Sequence, residues 1–186
     1  NSRLTKQNIV LTRPAYEGVE PAGRALFLSE NTGAGEIKSW PVLGNHPAEL
    51  FPKATVALAD GQLSVVQTAN DLRATLLISL PDDKSAVERW ELSIENLSDR
   101  PRDLSVTPYL EWLLCGAGED RNHTQYNRLY PEMSYDCSLN AVLALHRHSL
   151  VLTGGLEASK AQCEVLLSSG LEACERYYQA FQLVVW

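Results

Sequence analysis

The chain has 186 residues, of which 45% are hydrophobic, and its formal net charge is −7. This length and composition predict one globular domain with a substantial core rather than a disordered segment. The negative charge and the absence of a basic run argue against a nucleic-acid partner and against binding to an anionic membrane surface, and no apolar stretch is long enough to cross a membrane.

The N-terminal stretch is polar and contains prolines. Residues 1–23 include Pro14 and Pro21, so we expect an extended segment that leads into the domain. The stretch lacks the apolar core of a signal peptide, and it does not begin with Met. We therefore expect a chain that is processed or cut from a longer protein, with a cytoplasmic location.

The next segment predicts one strand followed by irregular structure. Residues 24–30, RALFLSE, predict a short strand, and the glycines of residues 31–36, NTGAGE, predict a turn. Residues 37–52 contain three prolines and a glycine, so we expect a loop there.

Hairpin patterns begin at residue 54. Two short apolar runs, ATVALA and QLSVVQT, flank Asp60-Gly61, a dipeptide that favours the type I′ turn of a two-residue hairpin. A third run over residues 72–80 is rich in branched side chains and ends before Pro81. We therefore expect antiparallel β-structure in this region.

Residues 88–114 form the clearest pattern in the chain. Trp90 and Leu92 alternate with charged residues, which indicates a strand with one apolar face. Residues 96–103, NLSDRPRD, have the composition of a turn. A second alternating run follows and reaches Trp112, and we interpret the two runs as an antiparallel pair.

Three residues of this pair lead to separate predictions about their positions in the fold. Pro108 cannot donate a hydrogen bond to a neighbouring strand, so it suggests an edge position or a bulge. Trp90 and Trp112 fall among the apolar positions of their runs, so packing in the core is favoured over stacking on a sugar.

The polar stretch of residues 115–136 is interpreted as a long loop, and long loops in compact domains are often functional. It combines aromatic rings with planar hydrogen-bonding groups, two features that recognise sugars, and its arginines could bind a phosphate in a fork. A loop whose polar groups bond only one another is the alternative. The candidate carbohydrate-binding residues are Arg121, His123, Tyr126 and Arg128.

No residue pattern identifies a catalytic or metal site. Motifs of nucleotide-binding loops, α/β-hydrolases and zinc proteases are absent, and the adjacent Glu119 and Asp120 do not resemble an acid–base pair. His146 and His148 fall on one side of a strand with no third ligand, so a solvated strand face is favoured over a metal site. The four cysteines lack zinc-site spacing and are expected to be reduced and largely buried. We expect no catalytic residue, metal ligand or cofactor in this chain.

The last part of the chain gives mixed signals. Residues 138–155 contain a strand-like apolar run. Residues 151–186 contain helix-favouring Ala, Glu and Leu, interrupted by Ser168-Ser169-Gly170, so further strands and a short helix both stay open. We predict a β-sandwich domain over residues 24–150, preceded by the extended segment and followed by this mixed segment.

Residues 88–114, ERWELSIENLSDRPRDLSVTPYLEWLL, resemble the N-terminal β-sandwich of the glycosyltransferase-36 type phosphorylases, also classed as glycoside hydrolase family 94. The family includes cellobiose, cellodextrin and chitobiose phosphorylases, and cyclic β-1,2-glucan synthases have a related domain. The segments RALFLSENTGAGEIKSWP, NHTQYNRLYPEMSYD and NAVLALHRH are similar to it as well, so the resemblance covers about residues 24–148. Its most specific residues are Asn96, Ser98, Asp99, Arg100, Arg102, Thr107, Tyr109, Glu111 and Trp112.

The resemblance implies an all-β fold, a two-layer antiparallel super-sandwich of the galactose-mutarotase-like type. In full-length members a helical (α/α)6 barrel follows and holds the general acid and the phosphate site, so no catalytic residue carries over to this chain. The implied partners are an oligosaccharide, phosphate in the parent enzyme, the helical-barrel catalytic domain and a second copy in a homodimer.

Three functions stay open at this point. The favoured one is a scaffold and carbohydrate-binding domain of a glycoside phosphorylase or related glycosyltransferase-like enzyme, which is not catalytic alone. The first alternative is a stand-alone carbohydrate-binding β-sandwich module. The second is a β-sandwich interaction protein that has no sugar ligand.

Overall fold

A computed structural model shows that the chain is built mainly from β-strands. It describes residues 5–6, 9–13, 23–33, 35–44, 53–80, 87–146, 165–172 and 178–185. Within these ranges there are fourteen strands and one helix. The strands are β1 (Thr5–Lys6), β2 (Ile9–Thr12), β3 (Arg24–Asn31), β4 (Ile37–Leu43), β5 (Ala54–Ala59), β6 (Gln62–Ala69), β7 (Leu72–Ser79), β8 (Val87–Asn96), β9 (Leu104–Leu110), β10 (Trp112–Gly116), β11 (Pro131–Asp136), β12 (Ala141–His146), β13 (Val165–Glu172) and β14 (Tyr178–Val185). The helix is α1 (Ala117–Asn127).

Two antiparallel sheets enclose the main core. The larger sheet has the strand order β11-β12-β13-β14-β8-β7-β6-β5, and the smaller has the order β4-β3-β9. Apolar side chains from both sheets meet in one buried cluster. Its members are Leu26, Leu28, Trp40, Val42, Val65, Leu72, Ala74, Leu76, Ile78, Trp90 and Leu92. The predicted all-β antiparallel sandwich is therefore confirmed.

A third sheet, with the order β1-β2-β10, has a small core of its own. Val10 on β2 and Leu113 and Cys115 on β10 form a separate buried cluster. Strand β2 lies within the predicted extended segment of residues 1–23, and it pairs antiparallel with β10. This part of the segment is therefore folded into a sheet, while the predicted domain division at residues 23 and 150 stays a prediction.

The turn signals of the sequence locate the hairpins well. Asp60 and Gly61 join β5 to β6 with φ angles of 51° and 74°, which confirms the predicted type I′ turn. A second turn of this kind, with φ angles of 51° at Asn70 and 58° at Asp71, joins β6 to β7. Sequence analysis missed it because it contains no glycine, although Asn and Asp both tolerate positive φ.

The interpretation of residues 88–114 as an antiparallel pair is wrong. Strand β8 pairs with β7 and β14, whereas β9 pairs with β3 in the opposite sheet. The connecting residues 97–103 therefore cross from one layer to the other. At their start, the Leu97 N–H donates to the Asp71 carbonyl (2.8 Å), and at their end the Asn31 N–H donates to the Asp103 carbonyl (3.0 Å).

A buried carboxylate holds this crossing in place. Arg102 makes a bidentate contact with Glu30 on β3, with nitrogen–oxygen distances of 2.6 and 2.7 Å. Arg102 also donates to the Asn70 carbonyl (2.8 Å), and Arg100 donates to Glu30 (3.1 Å). The connection is thus bonded to the smaller sheet and to the β6–β7 turn of the larger sheet at the same time.

A second buried ion pair links the layers at the other end of β3. Arg24 pairs with Glu88 on β8, and Glu88 also accepts a hydrogen bond from the Trp90 indole N–H (2.6 Å). The Arg24 guanidinium lies over the Trp90 ring, 5.0 Å from its centroid, in cation–π geometry. Trp90 is 4% exposed and Trp112 is 6% exposed, so their predicted place in the core is confirmed.

The prolines of the smaller sheet lie on its two edge strands. The loop predicted over residues 37–52 is wrong at its start, because residues 37–43 form β4 despite Pro41. An edge strand tolerates proline, since one side of the strand needs no ladder donor. Pro108 lies on β9, the other edge strand, which confirms the predicted edge position. The register shift in this sheet falls between Leu26 and Phe27 instead of at Pro108.

One further expectation about secondary structure is corrected, and one that was left open is narrowed. The loop predicted over residues 115–136 is wrong, because this stretch completes β10 and then forms α1 and β11. Further strands and a short helix were both left open for residues 151–186, and their described parts are the strands β13 and β14, of which β14 pairs with β8. The helical content of the described residues is therefore in the middle of the chain.

The cysteines fit the expectation only in part. Cys115 is a buried free thiol, whereas Cys137 is free but exposed. Cys163 and Cys174 lie outside the described residues, as does His148.

We predict that Glu30→Gln lowers the free energy of unfolding by about 3–5 kcal/mol, because it leaves the buried Arg102 charge without its partner. Urea denaturation at pH 7 measures the change. The matched control is Glu95→Gln, which breaks the exposed pair of Glu95 with Arg73 and should cost at most about 1 kcal/mol. Equal losses in the two variants would contradict the structural role of the buried pair.

The same pair predicts the direction of a pH dependence. Hydrogen bonding from Arg102 lowers the pKa of Glu30 in the folded chain. The contribution of Glu30 to stability is then complete above its unfolded pKa of about 4.3 and is lost as the pH falls through the lower folded pKa. The stability difference between wild type and Glu30→Gln should therefore shrink as the pH is lowered from 5 towards 2, and a constant difference would refute this.

Candidate functional site

Helix α1 carries three of the four predicted sugar-binding residues. Arg121, His123 and Tyr126 are exposed on it, and Arg128 is exposed at its C-terminal cap. The backbone departs from helical geometry at His123, with φ −140° and ψ 48°, so the helix is kinked there. The four residues therefore share one short structural element rather than a loop.

The four candidate residues form an exposed surface, and a chain of ion pairs beneath α1 holds Arg128 at one end of it. Asp120, which is fully buried, lies 3.1 Å from the Arg13 guanidinium. Arg13 Nε lies 3.2 Å from Glu111 Oε1, and Arg128 Nη2 lies 3.3 Å from the same oxygen. The two arginines thus share one carboxylate, which ties Arg128 to the connection between β9 and β10.

Backbone hydrogen bonds also hold the segments of Arg13, Glu111 and Gly23 together. The Arg13 N–H donates to the Glu111 carbonyl (2.9 Å), and the Glu111 N–H donates to the Gly23 carbonyl (2.6 Å). A Cβ atom added at Gly23 would lie 2.0 Å from the Arg13 carbonyl oxygen. Only glycine allows these segments to approach so closely.

Aromatic rings form the other part of the surface. The rings of Tyr126 and Tyr130 meet edge to face, with centroids 5.0 Å apart. Tyr130 also lies against His146 at the end of β12, 5.5 Å between centroids. Tyr126 is 50% exposed, so about half of its side chain is accessible to solvent.

The candidate residues are therefore brought together on one element, and two of them have partners outside the candidate set. Arg128 is tied to Glu111 and Tyr126 to Tyr130, while Arg121 and His123 extend from the exposed side of α1. Sequence analysis missed Arg13 and Asp120 as supporting residues. Arg13 precedes a proline in the polar N-terminal segment, and nothing in its local sequence indicates a buried partner that is distant along the chain.

Two ionisable groups lie beneath this surface, Cys115 on β10 and Asp120 in α1. Burial raises the pKa of the Cys115 thiol to about 11, with the nearby Asp120 carboxylate contributing, so the thiol is protonated at neutral pH. Asp120 is paired with Arg13. In the described part of the chain no three His, Cys, Asp or Glu residues lie close enough together to hold a metal ion.

The residues that carry the family resemblance have structural contacts. Asn96 Oδ1 accepts hydrogen bonds from the Ser98 backbone N–H (3.1 Å) and hydroxyl (2.7 Å), and its amide donates to the Arg100 carbonyl (2.7 Å). Arg100 and Arg102 bind Glu30 between the layers, and Glu111 joins the two arginines at the α1 junction. The motif thus stabilises the connection of residues 97–103 between the two sheets and contributes to the ion pairs beneath α1.

Taken together, these features define a β-sandwich module with an exposed polar and aromatic helix. A comparison with protein families matches residues 16–153 to the glycosyl hydrolase 94 supersandwich domain. The chain belongs to this family. No curated protein matches the chain. Within the described ranges, the helical segment falls short of the length and apolarity that a bilayer crossing needs.

We predict opposite effects of two glycine substitutions near this site. Gly23→Ala should destabilise the chain by about 3 kcal/mol, because its methyl group overlaps the Arg13 carbonyl. Gly118→Ala, in α1, meets no atom within 4 Å and should stabilise the chain by about 0.5–1 kcal/mol through helix propensity. Thermal denaturation of both variants provides the measurement. A neutral Gly23→Ala would show that Arg13 does not approach as described.

Proposed function

We propose that this chain is a scaffold and carbohydrate-binding domain of a glycoside phosphorylase or related glycosyltransferase-like enzyme, and that it is not catalytic alone. The observation that carries the proposal is the family match over residues 16–153. The catalytic step would take place in a helical-barrel domain of the parent protein, with an oligosaccharide and phosphate as substrates. The proposed location is the cytoplasm.

The chemistry of the described residues supports the non-catalytic part of this proposal. Inverting phosphorolysis needs a carboxylic acid that can protonate the leaving oxygen while phosphate attacks the anomeric carbon. Four carboxylates that are buried or partly buried in the described residues are each paired with an arginine, namely Glu30, Glu88, Glu111 and Asp120. For Glu30 the hydrogen bond from Arg102 lowers the pKa of the carboxyl group, which favours the ionised form, and that form cannot act as a general acid.

The surface of α1 supports the sugar-binding part. Tyr126 offers a half-exposed ring that could stack on the apolar face of a sugar, and Arg121 and His123 offer hydrogen-bond donors beside it. Arg128 is held by Glu111, so it would lose little side-chain freedom on binding. The surface is open, and small ligands bind tightly only where most of their area is buried. We therefore propose weak binding that a second domain completes.

A stand-alone carbohydrate-binding module is the second candidate. The edge-to-face pair of Tyr126 and Tyr130 favours it, because an aromatic platform needs no catalytic partner to bind a sugar. The two candidates differ in whether the parent protein turns over a glycoside.

We predict that the isolated chain forms no sugar 1-phosphate from cello-, laminari-, sophoro- or chito-oligosaccharides with phosphate, whereas the full-length parent protein does so with one of them. Chromatography of the reaction products tests both proteins under identical conditions. Turnover by the isolated chain would overturn the non-catalytic assignment. No turnover by either protein with this panel would favour the stand-alone module.

Titration calorimetry tests the sugar surface separately. Tyr126→Ala should weaken binding by roughly fivefold, in keeping with the loss of one aromatic contact. The matched control is Tyr135→Ala on β11, which removes a similarly exposed tyrosine that is not on α1. Equal affinity in the two variants would place the sugar elsewhere.

A further inference from the structure

The side of α1 that is buried against the rest of the chain is polar. Among the α1 residues whose burial is described, Asp120 and Asn127 are buried, Thr124 is partly buried and the others are exposed. Burial of an apolar face is what stabilises most helices in proteins. The described side chains of α1 lack such a face, so the position of the helix depends on polar contacts.

The helix is also weak in itself. It has eleven residues, and isolated helices shorter than about 12–15 residues are marginal in water. Its N-cap is Gly116, which has no side chain to bond the first turn, and its backbone leaves helical geometry at His123. The Thr124 hydroxyl donates to the Asp120 carbonyl (2.7 Å), a contact that tends to bend a helix. Contacts with the rest of the chain must therefore hold α1 in place.

A deeply buried ion pair provides one of these contacts. Arg13, which follows β2, is 1% exposed, and its guanidinium lies 3.1 Å from Asp120 Oδ1. If one partner of such a pair is removed, the other keeps the cost of leaving water but loses the attraction that offset it. Loss of Arg13 would therefore favour a state in which α1 separates from its neighbours and Asp120 reaches water.

Two buried donors beneath α1 would gain hydrogen bonds if the helix separated. Arg13 Nη1 and Asn127 Nδ2 are buried, and neither has a hydrogen-bond acceptor in the described part of the chain. A buried donor without an acceptor costs free energy that contact with water recovers. The closed position of α1 is therefore less favourable than its ion pairs alone would make it.

The strands on either side of α1 are held by pairing of their own. Strand β10 pairs with β2, and β11 pairs with β12. Among the described residues, the main core cluster contains no residue of α1. The helix can therefore leave its position while the sheets and the core stay as they are.

We propose that α1 opens as a unit while the sheets stay folded, and that Arg13 is the positioning residue that keeps it closed. Arg13 also shares the Glu111 carboxylate with Arg128, so it is linked to both ends of the helix. The N-terminal segment thereby controls whether the four candidate residues form one surface. This last step rests on the proposed sugar binding, whereas the opening of α1 does not.

Hydrogen exchange of the full chain, followed by NMR under conditions in which it reports the open fraction, tests the opening. Amides of residues 121–127 should exchange at least about 100-fold faster than those of β7 and β8, because a local opening costs less than global unfolding. Equal exchange in α1 and in these strands would show that the helix unfolds only with the sandwich, and would overturn the proposal.

Two substitutions separate the opening from the stability of the whole fold. Asp120→Asn should speed up exchange in α1 by about tenfold or more, because it weakens a buried contact that only the closed helix makes. Ile78→Val, in the core on β7, should speed up exchange in β7 and β8 about two- to tenfold. It should leave α1 at the wild-type rate, because the open state keeps this core. Exchange in α1 that responds to Ile78→Val as strongly as to Asp120→Asn would overturn the proposal.

The role of Arg13 is tested by loss and rescue. Arg13→Met should accelerate exchange in α1 as Asp120→Asn does, whereas the control Arg73→Met, which breaks an exposed pair, should not. Arg13→Met combined with Asp120→Leu should restore the protection of α1, because apolar side chains of similar size can replace a buried ion pair. Wild-type exchange in Arg13→Met, or a double variant no better protected than Arg13→Met, would overturn the role assigned to Arg13.

Gly118→Ala tests the opening without changing a buried residue. Its methyl group meets no atom within 4 Å, and it should slow exchange in α1 about two- to fivefold through helix propensity. Unchanged exchange would contradict a helix that opens by unfolding as a unit.

Added sugar separates this inference from the proposed function. Oligosaccharides of the cello-, laminari-, sophoro- and chito- series are each added at about 10 mM, and one that binds the closed surface with a Kd of about 1 mM should slow exchange in α1 about tenfold. If none slows it while Asp120→Asn still accelerates it, control of a sugar surface by Arg13 is overturned with the surface itself, and the opening of α1 stands. If a sugar binds but α1 exchanges at the rate of β7 and β8, the opening is overturned and the sugar surface stands.

Discussion

The contact of Glu30 with Arg102 is the interaction on which the architecture depends. The chain leaves the larger sheet at the end of β8 and joins the smaller sheet at the start of β9, and Arg102 lies between these two points. Burying a carboxylate and a guanidinium is unfavourable unless they pair well, and here the pairing is bidentate and supported by Arg100 and the Asn70 carbonyl. The pair therefore specifies how the two layers are joined more than it adds stability.

The charged residues that hold the fold together are largely different from the residues that are exposed on α1. Buried arginine–carboxylate pairs lie between layers and under α1, where they join segments that are far apart in sequence. The residues on the outside of α1 are free of that task, apart from Arg128, whose contact with Glu111 belongs to both. A helix that is held by buried ion pairs and exposed on its outer side would suit the sugar-binding surface proposed above.

Sequence analysis predicted the features that local chemistry determines. Asp60-Gly61 defined a hairpin, and the alternation around Trp90 defined a strand with a buried face. It failed where the structure depends on contacts between residues that are distant in sequence. Nothing in residues 97–103 reveals that they cross between sheets, because their partner Glu30 is 72 residues from Arg102. The polar stretch after β10 was mistaken for a loop because α1 has no apolar face, and its anchor is the buried contact of Asp120 with Arg13.

The ion pairs at the two ends of β3 should restrict changes in the length of this strand during evolution. Arg24, Leu26, Leu28 and Glu30 all lie on its buried side, with a charge at each end and leucines between. The two charged residues are about 20 Å apart along the strand, and their partners are Glu88 on β8 and Arg102 on the connection between β8 and β9. A substitution in β3 would affect one contact. The deletion or insertion of a single residue between 24 and 30 would turn one charge outwards and separate it from its partner, so β3 should keep its length even where its sequence varies.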